Sequence, residues 1–188
     1  MRVAAIIAAA GSGTRAGGPK LALRLGENSF LGRICRSLCL TSVDEIVVVV
    51  QPPFALWAQA ECPQARVVVN ASPELGMLSS LVLGAGKAAE SAGGLLVVPV
   101  DHPLVQPETY ESLLRTFRET PDAMVFPKHA GRSGHPVLVP ASLLQGTISP
   151  DQEGGLQALI RASGIRRMAV PVDDAGILRN VNYPQDLP

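Results

Sequence analysis

VAAIIAAAGSGTRAGGPKLAL, residues 3–23, carries a short apolar run straight into a loop holding four glycines, one arginine and one lysine. The run VAAIIA is too short for a typical helix and apolar on both faces, so it reads as a buried strand. The same signature returns at EIVVVV (45–50), ARVVVN (65–70), GLLVVPV (94–100) and AMVFP (123–127). Between these runs, apolar positions spaced three and four apart predict helices over Phe30–Leu40, Phe54–Ala60, Leu78–Ser91 and Glu108–Glu119. Strands buried on both faces and joined by helices imply a mostly parallel central sheet with helices on both faces, because a parallel pair needs a crossover. The expected class is three-layer α/β.

After Pro127 the pattern changes. KHAGRSGHPVLVP (128–140) is rich in turn residues and predicts a hairpin or an inserted strand that need not be parallel. A helix over Leu156–Ser163 and a last strand in RRMAVPV (166–172) follow. No repeat or linker interrupts the chain, so residues 1–188 are expected to form one domain.

Composition narrows the function. Sixteen Lys plus Arg balance sixteen Asp plus Glu, and 4% of residues are aromatic, which argues against nucleic-acid binding by an overall positive field or by stacking. Any anion site must be local. The first ten residues imitate a signal peptide, yet a strand leading into a glycine loop gives them a purpose within the fold. No run reaches the ~18–20 apolar residues of a bilayer span, so a soluble, cytoplasmic protein without membrane partners is expected. Cys35, Cys39 and Cys62 cannot all pair with one another, and a chain of this length needs no staples, which fits a reducing compartment. Cys35 and Cys39, four apart on a helix, are expected to face the core.

Gly11, Gly13, Gly17 and Gly18, with Arg15 and Lys20 among them, make the best candidate site. Glycines let backbone N–H groups approach phosphate oxygens, and the two cations offset the charge of a triphosphate. A dinucleotide fold is disfavoured. Gly17-Gly18-Pro19 would break the helix that motif needs, and the next strand ends in Gln51, where a carboxylate should hold the ribose. A Walker loop fails because Leu21 follows Lys20.

The loop resembles the signature of the nucleotidyltransferases, L-A-A-G-x-[SG]-x-R-M-G-x-x-K, with Ala8, Ala9, Ala10 and Gly11 at its first four positions. The five-residue step from Arg15 to Lys20 is similar to that of the molybdenum cofactor nucleotidyltransferases. Alanine at position 10, where guanylyltransferases carry glycine, resembles the cytidylyltransferase branch. Ala8, Gly13 and Ala16 depart from the commoner Leu, Ser and Met. NASPELGMLSSL (70–81), VPVDHPLV (98–105), GHPVLV (134–139) and NVNYPQDL (180–187) are similar, in order, to further segments of that family. The resemblance implies a Rossmann-like nucleotidyltransferase fold and transfer of CMP from CTP to the phosphate of the molybdenum-bearing pterin, with release of pyrophosphate. It implies Mg²⁺ as cofactor, held by Asp101 and Asn182, and a molybdoenzyme or its cofactor-insertion chaperone as a partner. Arg15, Lys20 and Asp101 would be catalytic. Ala9, Ala10, Gly11, Gly13, Asn70, Gly76, Ser79 and Ser80 would bind the nucleotide, and His135 the acceptor. GTP or another small phosphorylated acceptor, a non-catalytic carrier of the finished cofactor, and a nicotinamide-type oxidoreductase are the rival readings.

Several residues also admit plainer roles. Asp101, at the carboxyl end of a parallel strand, either holds a cation or caps a helix before Pro103. Ser79 and Ser80 either cap a helix or touch the nucleotide. His135 either positions substrate or bonds to backbone, and neither it nor His102 has zinc-site spacing with the cysteines. Asp173 and Asp174 read as solvated loop acids, with Asp173 the one that could reach a metal.

Overall fold

A computed structural model describes residues 1–11, 18–88, 91–145, 149 and 153–181. In chain order its strands are β1 (Arg2–Ala8), β2 (Arg24–Leu25), β3 (Asn28–Ser29), β4 (Glu45–Val50), β5 (Arg66–Val69), β6 (Ala92–Pro99), β7 (Ala123–His129), β8 (Arg132–Ser133), β9 (Val137–Pro140) and β10 (Arg166–Pro171). Its α-helices are α1 (Phe30–Cys39), α2 (Ala55–Glu61), α3 (Met77–Lys87), α4 (Pro107–Glu119) and α5 (Gly155–Ser163).

β1 is central because its side chains are apolar on both faces, and Val3 through Ile7 are wholly buried. It pairs in parallel with β4 on one side and β6 on the other, and β5 continues the parallel run beyond β4. Past β6 the sheet turns mixed: β9 lies antiparallel between β6 and β7, and β10 closes the edge parallel to β7. The order is β10-β7-β9-β6-β1-β4-β5, with β8 paired to β7. The inserted strand expected after Pro127 is therefore β9. The small antiparallel pair β2–β3 had no counterpart in the sequence reading, being only two residues per strand.

Alternation along β1 divides the core into two. Val3, Ala5 and Ile7 face α1, α2 and α4 through Phe30, Ile34, Ala58, Leu113 and Phe117. Ala4 and Ile6 face α3 and α5 through Leu81, Ala85, Leu156 and Ile160. Helices thus cover both faces, giving the three-layer architecture expected. α3 lies so close to the sheet that a Cβ on Gly84 would fall 2.6 Å from Cγ2 of Ile6. The helix predicted to run on to Ser91 stops at Lys87, where Ala88 is already extended (φ −61, ψ 152).

The cysteines depart from expectation. Cys35 and Cys62 are joined by a disulfide, with Cα atoms 5.9 Å apart, tying the middle of α1 to the end of α2. Cys39 is a free, exposed thiol rather than a core residue. Four helical positions advance by about 400°, so Cys39 is turned about 40° beyond Cys35 and off the buried stripe of Phe30, Ile34, Cys35 and Leu38. Glu61, beside Cys62, reinforces the link by accepting a hydrogen bond from Ser29, whose Oγ caps α1 by accepting the Gly32 N–H at 2.9 Å.

Candidate active site

The chain leaves β1 for β4 on one side of the sheet and reaches β6 on the other, so the crevice outside the carboxyl ends of β1 and β6 is the switch point where open α/β sheets bind ligands. A cavity of about 330 Å³ occupies that crevice, bounded by Ala10, Gly11, Lys20, Gly76, Met77, Ser80 and Asp101. The end of β1 is held from both sides: Ala9 N–H donates to the Val49 carbonyl at 2.9 Å and Val100 N–H to the Ala8 carbonyl at 3.3 Å.

Lys20 begins a short 3₁₀ turn (Lys20–Ala22) anchored by the buried Leu21. Its Nζ donates to Oδ2 of Asp101 at 3.0 Å, joining residues 81 apart in sequence. The side chains are 21% and 19% exposed, so this pair sits at a wetted cavity wall and not in a dry interior. No helix begins at Asp101. α4 starts at Pro107 after Gln106, which sets aside the helix-capping alternative. The Asp101 carbonyl instead accepts the Val181 N–H at 2.8 Å, leaving the carboxylate directed at the cavity.

The opposite wall is built from Asn70, Gly76 and the first turn of α3. Asn70 is 1% exposed and does not line the cavity. Its Oδ1 accepts the Ser72 N–H at 2.9 Å; an amide N–H can only donate, so the orientation of the side chain is settled. Nδ2 then donates to Oγ of Ser79 at 2.9 Å and of Ser80 at 3.0 Å. Both serines accept from Asn70, so their own protons go elsewhere. That of Ser79 goes to the Gly76 carbonyl at 2.7 Å, leaving that of Ser80 for the cavity it lines. Neither serine caps α3, since Gly76 holds the N-cap position. Gly76 has φ +89, a conformation that side chains rarely adopt, and brings bare backbone to the cavity edge.

His135 and His102 form the flank next to Asp101. Their rings lie 4.9 Å apart, and Nε2 of His102 is 4.0 Å from Oδ1 of Asp101. Burial, reinforced by His135, pushes the His102 imidazole down to about 4, and burial also lowers that of His135. Both rings are therefore neutral near pH 7, and Nδ1 of each is buried without a hydrogen-bond partner among the described residues. The His135 N–H donates to the Ile177 carbonyl at 3.0 Å, so its backbone is braced while its ring faces His102. Gly134 fits the same brace: a Cβ there would fall 2.3 Å from that carbonyl.

Of the expected site residues, the structure brings Ala10, Gly11, Lys20, Gly76, Ser80 and Asp101 to one cavity. Ala9 is buried in the β1 stem, Asn70 and Ser79 stand behind the cavity wall, and His135, half-buried against His102, is not among the residues that line the cavity. Gly13, Arg15 and Asn182 lie outside the described residues. Asp173 is fully exposed, 3.8 Å from His129. Asp174 is not a solvated acid: it is buried, caps the turn Ala175–Leu178 through the Gly176 N–H, and accepts from Gln106 N–H and Thr109 Oγ1. Sequence reading missed Pro73 and Met77, which line the cavity, and the part played by Gln51, whose side chain donates to the Ala10 carbonyl at 2.8 Å. Only the position of Gln51 at a strand end signalled it.

Among the described residues no group of three or more His, Cys, Asp or Glu could hold a metal ion, and no helix is long and apolar enough to cross a membrane. One carboxylate at the cavity wall is nonetheless a donor set that suits Mg²⁺, which commonly combines one or two carboxylates with substrate phosphates.

Residues 5–168 match the family model described as the MobA-like NTP transferase domain. The 2-C-methyl-D-erythritol 4-phosphate cytidylyltransferase of Deinococcus radiodurans is 34% identical, over 94% of this chain and 76% of its own length. The enzyme of that name from Corynebacterium glutamicum strain R is 30% identical, over 97% of this chain and 68% of its own. Both relatives are named for an acceptor other than the molybdenum pterin expected from the loop. Among solved structures, the Mycobacterium sp. strain JC1 homologue of Mycobacterium tuberculosis rv0371c superposes with a TM-score of 0.80 at 22% identity, covering 99% of this chain and 94% of that one.

Proposed function

Because the chain belongs to the family of the MobA-like NTP transferase domain, we propose that it transfers CMP from CTP to the phosphate of a small acceptor and releases pyrophosphate. The observation that carries this is the cavity at the switch point. There Lys20 and Asp101 meet at 3.0 Å, opposite bare backbone at Ala10 and Gly11 and the hydroxyl of Ser80. Nucleotidyl transfer asks for little else. The acceptor's phosphate oxygen is already anionic, so it attacks the α-phosphorus in line without a general base. One P–O bond forms as the bond to pyrophosphate breaks, and the electron pair leaves with pyrophosphate.

Positioning and charge stabilisation do most of such catalysis. On this reading Lys20 neutralises charge gathering on the leaving pyrophosphate, and Arg15 acts with it. Asp101 is the residue that would hold Mg²⁺, an ion that screens phosphate charge when bound. His135, half-buried and neutral near Asp101, adds no positive charge that would trap an anionic acceptor and serves to orient it.

For the acceptor we assign the molybdenum-bearing pterin phosphate, on the Arg15 to Lys20 spacing and the ordered segments at 70–81, 98–105, 134–139 and 180–187. The second reading is 2-C-methyl-D-erythritol 4-phosphate, favoured by the names of the two relatives. Nucleotide chemistry of this kind suits the cytoplasm, although the Cys35–Cys62 bond runs against the reducing conditions there. Pyrophosphate release, measured with Mg²⁺, each of the four NTPs and each acceptor in turn, separates these readings. Release with CTP and the pterin phosphate is expected. Release with GTP alone overturns the nucleotide assignment, release with the erythritol phosphate alone replaces the acceptor, and no release under any pairing favours a carrier.

A further inference from the structure

The Ala10–Gly11 peptide stands where β1 stops being a strand and becomes the cavity wall. Up to Ala9 the backbone follows the sheet: Ala9 N–H points to β4, donating to Val49, while the Ala8 carbonyl points to β6, accepting from Val100. A strand that simply continued would direct the Ala10 carbonyl toward β6 again, since carbonyls alternate along a strand. It goes the other way. The Ala10 carbonyl accepts Nε2 of Gln51, the residue immediately after β4, at 2.8 Å.

A trans peptide places its N–H opposite its C=O. The His135–Pro136 bond is cis, but Ala10–Gly11 is trans. With its carbonyl drawn to the β4 side, this peptide presents the Gly11 N–H on the β6 side, where Lys20 and Asp101 lie. Space is available there, for a Cβ built on Gly11 would meet no atom within 4 Å. The chemistry of residue 51 is set by the same contact. A carbonyl oxygen only accepts, so Gln51 must offer its amide nitrogen, and a glutamate could not replace it. Gln51 is half-buried and does not line the cavity, so it acts through Ala10.

We infer that Gln51 is a positioning residue that turns the Ala10–Gly11 peptide so that the Gly11 N–H donates to a phosphate oxygen of the bound nucleotide. The inference rests on the nucleotide-binding reading above and assigns this residue a part in it. It also gives a role to the glutamine that follows β4 where a dinucleotide fold would have an acid.

The test uses full-length protein labelled with ¹⁵N-glycine, titrated with inorganic tripolyphosphate while the Gly11 amide signal is followed. CTP and cytidine affinities are measured in parallel for the native protein, Gln51→Leu and Gln51→Glu. Tripolyphosphate should move the Gly11 signal in the native protein and much less in either variant. CTP binding should weaken about threefold in Gln51→Leu and about tenfold in Gln51→Glu, where an acceptor opposes the carbonyl. Cytidine affinity and melting temperature should hold, which a merely structural role for Gln51 does not predict. Native CTP affinity and a native Gly11 shift in Gln51→Glu overturn the inference. So does a native protein that binds CTP without moving the Gly11 signal, and in that case the nucleotide reading survives. If tripolyphosphate moves Gly11 in the native protein only, while CTP fails to bind, the nucleotide reading falls and the role of Gln51 stands.

Discussion

Replacing Asn70 by alanine separates the wall of the cavity from its contents. The side chain makes three hydrogen bonds, at 2.9, 3.0 and 2.9 Å, from a position that is 1% exposed. At a net value of about 1 kcal/mol each, their loss costs about 3 kcal/mol. In a chain of 188 residues, where each kcal/mol moves the midpoint by about 2–4 °C, melting should fall by roughly 6–12 °C. A second effect should appear in binding. Without Asn70 the Ser80 hydroxyl no longer has to accept from behind the wall, its proton is free to turn inward, and CTP affinity should drop about three- to tenfold. Differential scanning calorimetry reads the first effect and isothermal titration with CTP the second. Ser80→Ala added to Asn70→Ala should then cost little further affinity, because the two changes remove the same oriented donor. A midpoint within ~2 °C of the native value would falsify the reasoning on stability. Additive losses in the double variant would sink the coupling between Asn70 and Ser80.

Other expectations follow from the same geometry. Lys20→Ala and Asp101→Ala should each lose at least about tenfold in turnover, while melting moves by no more than a few degrees because a partly exposed pair contributes at most about 1 kcal/mol; native turnover in both refutes the site. Gly134→Ala has no room beside the Ile177 carbonyl, so it should lower stability by about 1–3 kcal/mol and disturb acceptor use more than CTP binding; unchanged acceptor KM contradicts the placement of His135. Thiol titration of the native protein should find one reactive group, Cys39. Reduction should cost about 3–4 kcal/mol, given the 27-residue separation of Cys35 and Cys62, and three reactive thiols without reduction exclude the bond.

Periodicity located most of the long elements almost residue by residue, the exception being the helix expected over 78–91, which ends at Lys87. EIVVVV is β4 as it stands, and the helices expected over 30–40, 108–119 and 156–163 begin and end within one residue of α1, α4 and α5. These segments bury continuous apolar surface, so local pattern and tertiary demand coincide. Order within the sheet was less accessible. Nothing in VLVP shows that it lies between β6 and β7, because that depends on which edge is left unpaired by the rest of the chain. The site divides in the same way. Lys20 was visible as a cation beside a glycine-rich loop and Asp101 as an acid at a strand end, but the roles of Asn70, Asp174 and Gln51 depend on partners 2 to 68 positions away. A side chain that acts through backbone leaves no composition signal of its own. Cys39 shows the opposite error, a residue expected in the core from its type and its spacing from Cys35 that the helix turns just off the buried stripe.

β9 runs against its neighbours, so its beginning, not its end, arrives at the edge where ligands bind, and His135 comes to Asp101 from in front of a strand. The sheet consequently has a seam at β6. Strands on one side of it come from residues 2–69, and those on the other from residues 123–171. Two substrates can therefore be served by two stretches of chain that scarcely interleave. On the proposed reading the nucleotide meets the earlier stretch and the acceptor the later one, so a change confined to residues 123–171 would alter acceptor use while leaving the nucleotide's contacts in place.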